Sequence, residues 1–382
     1  MRPYHIQIPT QIFWGRDIWK EAISELASEL NGNIMIVTTG RSLIRLGYIN
    51  ELLRRLKQHT LTSDIIVYDN VSANPKLLEA KKGIKLAKEA NINSIVAFGG
   101  GSAIDLAKTI AVGALTDTDI EYYFYHDIEL SWKTLPVFAI PTTAGTGSEL
   151  SKAAILTDEE RCIKSGIRGD SLYPKAAIVD SVFTESVPFN TTMETGFDVL
   201  AHAIESYISK AASPFTQMLS EYIVENVRIA LPELVRDLKD IDARKKMSYS
   251  SMMMGINLGN ASTCLPHRLQ YPLGAYTNTS HGAGLATLYT SWIEYEYLYS
   301  QEKVERLMSI LAGEMIHGRS ECVHVIENFI TLLKLPSSLK EMKIDQIRIH
   351  DMAAAVSGNI NNDPASEEQD IIIKIYERAW EG

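Results

Sequence analysis

Four side chains in the second half of the chain have the types and spacing of a metal centre. Asp198 and His202 lie four positions apart in a helical pattern, GFDVLAHAIES. Residues at i and i+4 share one helix face, so a carboxylate and an imidazole can meet one cation. His267 and His281 follow, on either side of a Pro/Gly-rich stretch. Three imidazoles and one carboxylate suit a borderline divalent ion, Fe2+ or Zn2+, better than Mg2+ or Ca2+. The other histidines (His5, His59, His126, His317, His324, His350) show no such grouping and are assigned to surface or core.

Two loops in the first half have the composition of phosphate cradles. Gly99-Gly100-Gly101-Ser102 stands where a strand pattern ends and a helical one begins. Glycine lets the backbone approach a ligand, and a helix N-terminus offers free N–H groups to an anion. The alternative is a tight turn with nothing bound. The spacing is neither GxGxxG nor a Walker loop. Pro141 to Ser148 also follows a strand, and its small hydroxyl residues Thr142, Thr143 and Thr146 fit phosphate or ribose. The alternative there is a polar cap on a helix beginning at Ser148-Glu149. Two such loops at strand ends of one sheet point to a shared nucleotide or dinucleotide, because open α/β sheets bind ligands there.

The elements that must carry these groups have two rhythms. Strand patterns at Asn33–Thr38 (ended by Gly40), Asp64–Tyr68, Ser94–Phe98, Leu135–Ile140 and Ala177–Val179 alternate with helical patterns at Tyr48–Lys57, Pro75–Glu89 and Ala103–Leu115. Such alternation implies a parallel sheet with helices on both faces. Beyond Pro188 helical periodicity dominates, at Thr191–Lys210, Thr216–Leu231, Ala243–Leu258, Ser300–Ala312 and Cys322–Leu333. The expected division is an α/β dinucleotide-binding domain over residues 1–187 and an all-α metal and substrate domain over 188–382. A ligand site is expected in the cleft between them.

Composition narrows the function. The 382 residues carry 37 Lys+Arg against 47 Asp+Glu, a net charge of −10, which argues against a nucleic-acid partner. Cys162, Cys264 and Cys322 are too few and too scattered for a disulfide framework or a thiolate zinc site. Met1 to Trp14 has no basic region followed by an apolar run, and no uninterrupted apolar stretch reaches membrane-spanning length. A soluble, cytoplasmic protein without membrane contact is expected.

The stretches GGGSAIDLAK (99–108), AIPTTAGTGSE (139–149), GFDVLAHAIESY (196–207) and HRLQYPLGAYTNTSHG (267–282) resemble the signatures of the iron-containing, or group III, alcohol dehydrogenases. PTQIFWG (9–15), VSANP (71–75), Lys164 ahead of YPKAAIVD, and the closing NNDPASEEQDIIIKIYERAW are similar too. The resemblance implies the fold shared with dehydroquinate synthase-like proteins, a nucleotide-binding α/β domain followed by a helical domain. It implies Asp198, His202, His267 and His281 as ligands of Fe2+ or Zn2+. It places Gly101 and Ser102 on the cofactor pyrophosphate and Gly100 at the cofactor, with Thr142, Thr143 and Thr146 lining it. Asp105 and Lys164 fall near the nicotinamide ribose and Asn74 near the adenosine. The implied reaction is hydride transfer between NAD(P)H and a metal-polarised aldehyde, in a dimer or larger homo-oligomer. The β-like stretch Tyr4–Phe13 is a candidate for pairing across a two-fold axis.

Three positions depart from the family. Arg268 follows the third metal ligand where many members have Gly, Tyr271 stands where many have a proton-relaying His, and Gln270 replaces an often small residue. Arg268 is read either as solvent-facing or paired with a helix C-terminus, or as holding a sulfonate, phosphonate or carboxylate in bidentate fashion. Gln270 would add a donor. The second reading implies a short aldehyde with an anionic tail, such as sulfoacetaldehyde or phosphonoacetaldehyde; simple aldehydes or diols are the alternative. Tyr271, water and the cofactor ribose are rival proton relays. The stretch Thr38-Thr39-Gly40-Arg41-Ser42 carries no acid to repel a 2′-phosphate, so NAD and NADP both remain, with Thr39 at the cofactor. A dehydroquinate synthase-like lyase, expected to use a Glu-His-His site, fits Asp198 with three histidines poorly. Retention of all four ligands and both loops argues against a non-catalytic scaffold.

Overall fold

A computed structural model describes every residue except 1, 2, 40, 60, 61, 127, 131 and 132; the side chains of 59, 62 and 63 are also outside it. The predicted strand break at Gly40 and the placing of the His59 side chain therefore lie outside the described residues. The chain forms two compact units. One comprises Ile8–Thr143 and Gly147–Thr184. The other comprises Glu185–Gly382 with Ala144–Thr146 and a short N-terminal stretch ending at Gln7.

The first unit runs β1 (Gln11–Gly15), α1 (Trp19–Glu25), β2 (Gly32–Thr38), α2 (Arg41–Arg45), α3 (Tyr48–His59), β3 (Thr62–Tyr68), α4 (Leu77–Glu89), β4 (Ile92–Gly99), α5 (Gly101–Leu115), α6 (Ile120–His126), β5 (Val137–Pro141), β6 (Ala153–Asp158), β7 (Ile163–Arg168) and β8 (Ala176–Asp180). The main sheet is parallel, in the order β1-β8-β5-β4-β2-β3. Successive strand residues feed opposite faces, as a period of two requires. Met35, Val37, Ile95, Ala97, Val137 and Ala139 pack with Leu77, Ile104, Ile110 and Phe124 of α4, α5 and α6. Ile34, Ile36, Val96, Phe98, Phe138 and Ile140 pack with Trp19, Ile23, Leu52 and Leu56 of α1 and α3. The sheet is thus covered on both faces, as the alternation implies.

Two further strand features are seen. Gln11–Phe13, part of the stretch considered for two-fold pairing, lies in the edge strand β1, which pairs in parallel on one side with β8 of the same chain. The hairpin β6–β7 is additional. Its strands, AAILTD and IKSGIR, mix polar and small residues and give little strand signal.

The helical unit runs α7 (Phe189–Ile208), α8 (Pro214–Arg236), α9 (Ile241–Ala261), α10 (Leu265–Thr277), α11 (His281–Ala312), α12 (Arg319–Leu332), α13 (Ile349–Ala354) and α14 (Ile371–Glu381). The Pro/Gly-rich stretch between the two distant histidines is a helix, α10. Pro266 sits in its first turn, where the missing N–H costs nothing, and Pro272 is accommodated inside. The helix expected from Ser300 is the second part of α11, which kinks at Ser300 (φ −139°, ψ 38°). The part before the kink buries Leu285, Ala286, Leu288, Tyr289, Trp292 and Ile293, so it shows no amphipathic period. No helix among the described residues is long and apolar enough to cross a membrane.

Glu296 of α11 and Asp363 form a fully buried carboxyl pair. Burial first, and then the Asp363 charge, raise the Glu296 carboxyl far above its ordinary 4.5. A raised folded-state value contributes stability that is complete below the unfolded value and is lost as pH rises through the folded one. Glu296→Gln is therefore expected to melt above the wild type, by a margin that widens from about pH 5 to about pH 9. A margin independent of pH, read by thermal melts across that range, would exclude this origin.

Candidate functional site

In the α/β unit, the chain direction across the sheet reverses at β2 and β4: β3 lies on one side of β2, and β4 on the other. Ligands of open sheets bind beyond the carboxyl ends of strands at such a reversal. The loops there approach closely. A Cβ on Gly99 would lie 2.7 Å from the Ala103 side chain and 3.2 Å from Thr39 Oγ1, and one on Gly100 would lie 3.3 Å from Thr143 Oγ1. Glycine thus keeps the α5 N-terminus, Thr39 and Thr143 together and leaves backbone open beside them. Ser102 Oγ donates to the Ala73 carbonyl (2.6 Å), and Lys164 Nζ donates to Asn74 Oδ1 (3.2 Å). Asn74, Gly100, Gly101, Ser102, Thr142, Thr143 and Lys164 therefore all belong to this unit.

Asp105 is committed internally. It accepts from Ser148 Oγ and from the Ile155 N–H (3.0 Å). Lys108, one turn on, was not singled out in the sequence beyond its place in GGGSAIDLAK. It is fully buried and donates to Ser148 Oγ, Ser151 Oγ, and the Ser151 and Ala153 carbonyls at 2.9–3.2 Å. Burial pulls its ammonium down to about 8, against the pull of Asp105 and Glu149. The available signal was a lysine inside an otherwise apolar helix. Thr146, with Ala144 and Gly145, groups with the helical unit. A Cβ on Gly145 would lie 2.7 Å from the Thr195 side chain of α7. Ser148-Glu149 forms a short 3-10 turn rather than a longer helix.

In the helical unit, ligand atoms of Asp198, His267 and His281 lie within 4.8 Å of one another. His267 Nε2 is 3.2 Å and His281 Nε2 3.5 Å from Asp198 Oδ1. His202 lies alongside, its ring centroid 3.9 Å from that of His267, but stands outside the group of three. Its Nδ1 donates to the Asp198 main-chain carbonyl (2.9 Å). Burial alone would raise the Asp198 carboxyl, but His202, His281 and His267 hold it well below the usual range.

The donor set fits a divalent cation. Each imidazole has its Nδ1–H on an oxygen acceptor: His202 on Asp198 O, His267 on Glu205 Oε1 (2.7 Å), His281 on Gln270 Oε1 (2.5 Å). That arrangement fixes the rings and leaves Nε2 as the atom that could meet a cation. Glu205, which holds the His267 ring, is absent from the residues assigned from sequence. It is fully buried, three positions beyond His202, and its other oxygen accepts from the Cys264 N–H (2.8 Å). A glutamate on the buried face of α7 was the signal. Glu205→Gln is expected to lower divalent-metal affinity by roughly 10- to 100-fold, as loss of an orienting partner does. Chelator competition with Co2+ checks this; wild-type affinity would refute it.

Gln270 accepts through Oε1, while Nε2, the donor expected from the sequence, is buried without a partner among the described residues. Arg268 is 6% exposed, which excludes the solvent-facing reading. Its Nε has no hydrogen-bond acceptor, and no carboxylate or helix C-terminus among the described residues engages it. Its guanidinium lies 5.8 Å from the Tyr271 ring centroid and beside the Gly358 backbone.

Residues 9–181 match the family of iron-containing alcohol dehydrogenases, and residues 192–380 match the C-terminal domain of the same family. A choline dehydrogenase of Bacillus subtilis is 31% identical over 310 residues, 80% of this chain and 76% of that protein. An NADH-dependent butanol dehydrogenase A of Clostridium acetobutylicum is 28% identical over 92% of each chain. The crystal structure of a sulfoacetaldehyde reductase from Bifidobacterium kashiwanohense in complex with NAD+ superposes with a TM-score of 0.87, at 25% identity over 99% of each chain.

Proposed function

The chain belongs to the iron-containing alcohol dehydrogenase family, and we propose that within it the substrate is a short aldehyde, or its alcohol, with an anionic tail such as a sulfonate. One observation carries this reading: Arg268 is buried, and its Nε has no acceptor among the described residues. Burying an unpaired charge is costly, and a bidentate oxyanion supplies what the guanidinium lacks. The likeness to a sulfoacetaldehyde reductase supports the same class. Choline is a cation, and a buried arginine opposes it.

Asp198, His202, His267 and His281 are the residues we assign to the cation, Fe2+ or Zn2+. When bound, the cation supplies Lewis acidity to an aldehyde oxygen, and NAD(P)H supplies the hydride. Glu205 and Gln270 hold the His267 and His281 rings. Arg268 orients the substrate by its tail, and Gln270 Nε2 offers a further donor. The Gly99–Ser102 and Thr142–Thr143 loops, with Thr39, Asn74, Thr146 and Lys164, take the cofactor, and Asp105 holds Ser148 and the Ile155 N–H in place. Tyr271 supports the guanidinium on its ring, and its phenol is our candidate for carrying the proton. Tyr271→Phe keeps the ring, so kcat should fall while KM for the anionic substrate holds; an unchanged kcat would exclude the phenol.

A panel of sulfoacetaldehyde, phosphonoacetaldehyde, propanal and 1,3-propanediol, run with NAD and NADP coenzymes on metal-loaded protein, tests the reading. The anionic aldehydes should have the highest kcat/KM; equal values for propanal would overturn the assignment. With no acid after β2, NADPH should be used within about tenfold of NADH.

A further inference from the structure

The closing NNDPA motif has no place in the chemistry above, yet it reaches the turn that carries His267 and Arg268. Helix α10 begins without a side-chain cap of its own, at Cys264. The first N–H groups of a helix have no partner within it. Here two remote carboxylates take them. Glu205 Oε2 accepts from the Cys264 N–H and Asp363 Oδ2 from the Leu265 N–H, both at 2.8 Å. Asp363 is fully buried, and its acceptor places are filled. Oδ2 also accepts from Trp292 Nε1 (2.9 Å) of α11, and Oδ1 accepts from the Ala365 N–H (2.8 Å). Asn362 adds contacts to the same junction. Its carbonyl accepts from the Lys210 N–H (2.8 Å), and its Nδ2 donates to the Ala261 carbonyl (3.3 Å).

We propose that Asp363 is a positioning residue for the metal centre: a cap supplied from 98 positions away that fixes the first turn of α10, and with it His267, against α11. Two negative groups at that N-terminus also complement the helix dipole. Because α11 supplies both Trp292 and His281, one carboxylate ties together the two helices that bear the later ligands. The inference rests on the reading that His267 binds metal.

The test measures Co2+ affinity by chelator competition in folded wild type, Asp363→Ala, Asp363→Asn and His267→Ala. Asparagine keeps an oxygen for Leu265 and Trp292. It should hold affinity within about threefold, whereas alanine should lose at least about tenfold. Equal affinity in Asp363→Ala and wild type overturns the inference. Equal affinity in His267→Ala and wild type overturns the metal reading instead. Should Asp363→Ala not fold, amide exchange in the metal-free wild type decides the matter. The Cys264 and Leu265 amides should exchange slowly; fast exchange at Leu265 overturns the cap.

Discussion

Arg268→Ala is expected to lower kcat/KM for sulfoacetaldehyde by about 30- to 1000-fold while leaving propanal within about threefold. The range corresponds to about 2–4 kcal/mol for deleting one partner of a buried, hydrogen-bonded charge pair. The effect is large because Arg268 is buried and its Nε has no acceptor among the described residues, so part of the desolvation cost is already met in the free protein. The chain carries a net charge of −10, so the field far from the site repels an anion and local positive charge must overcome it. A second readout needs no turnover. An uncompensated buried charge destabilises the free protein, so Arg268→Met should melt above the wild type. Isethionate should then raise the wild-type melting temperature and leave that of the variant unmoved. Equal kinetic losses on both aldehydes would sink the assignment.

Gly282→Ala should abolish useful metal binding, with Co2+ affinity reduced at least about 100-fold. A Cβ at this position would lie 2.4 Å from the Glu194 carbonyl oxygen, 2.7 Å from its carbon and 2.8 Å from its Cα. All three are main-chain atoms of α7, so no rotamer change relieves the contact. The helices must separate by about 1 Å, a displacement that typically costs on the order of 100-fold in a preorganised site. The displaced pieces are the critical ones: His281 adjoins Gly282, and Asp198 lies one turn beyond Glu194. Overpacking should also lower stability by about 1–3 kcal/mol. Chelator competition and a melting curve read both effects, and a variant with wild-type Co2+ affinity would refute the argument.

Residue types alone carried the sheet and the metal cluster further than they carried the loops between. Asp198 was legible because its helix has a strong period, and the covered sheet because its strands are short apolar runs. Helix α10 was not legible, because prolines at 266 and 272 imitate a loop while meeting the requirements of a first turn and a tolerated bend. The first part of α11 was hidden for the opposite reason, since burial on all sides erases the period. Glu205 and Asp363 escaped because their partners are 59 and 98 positions away. No local pattern encodes a cap supplied from that distance. Arg268 stood out only as a departure from a resemblance; its burial without an acceptor is what gives the substitution weight.

The parallel pairing of β1 with β8 governs when the α/β unit can finish folding. Thr10 Oγ1, just before β1, donates to the carbonyl of Pro174, 164 positions later. During synthesis the first strand therefore waits, unpaired, until nearly the whole unit has been made. Pairings of such separation carry a large loop-closure cost and form late. Nucleation is expected at the central strands β2, β4 and β5, whose partners lie nearer in sequence, with β1 joining last. The edge that completes the sheet is thus the part of this unit most exposed to wrong partners while the chain is still growing.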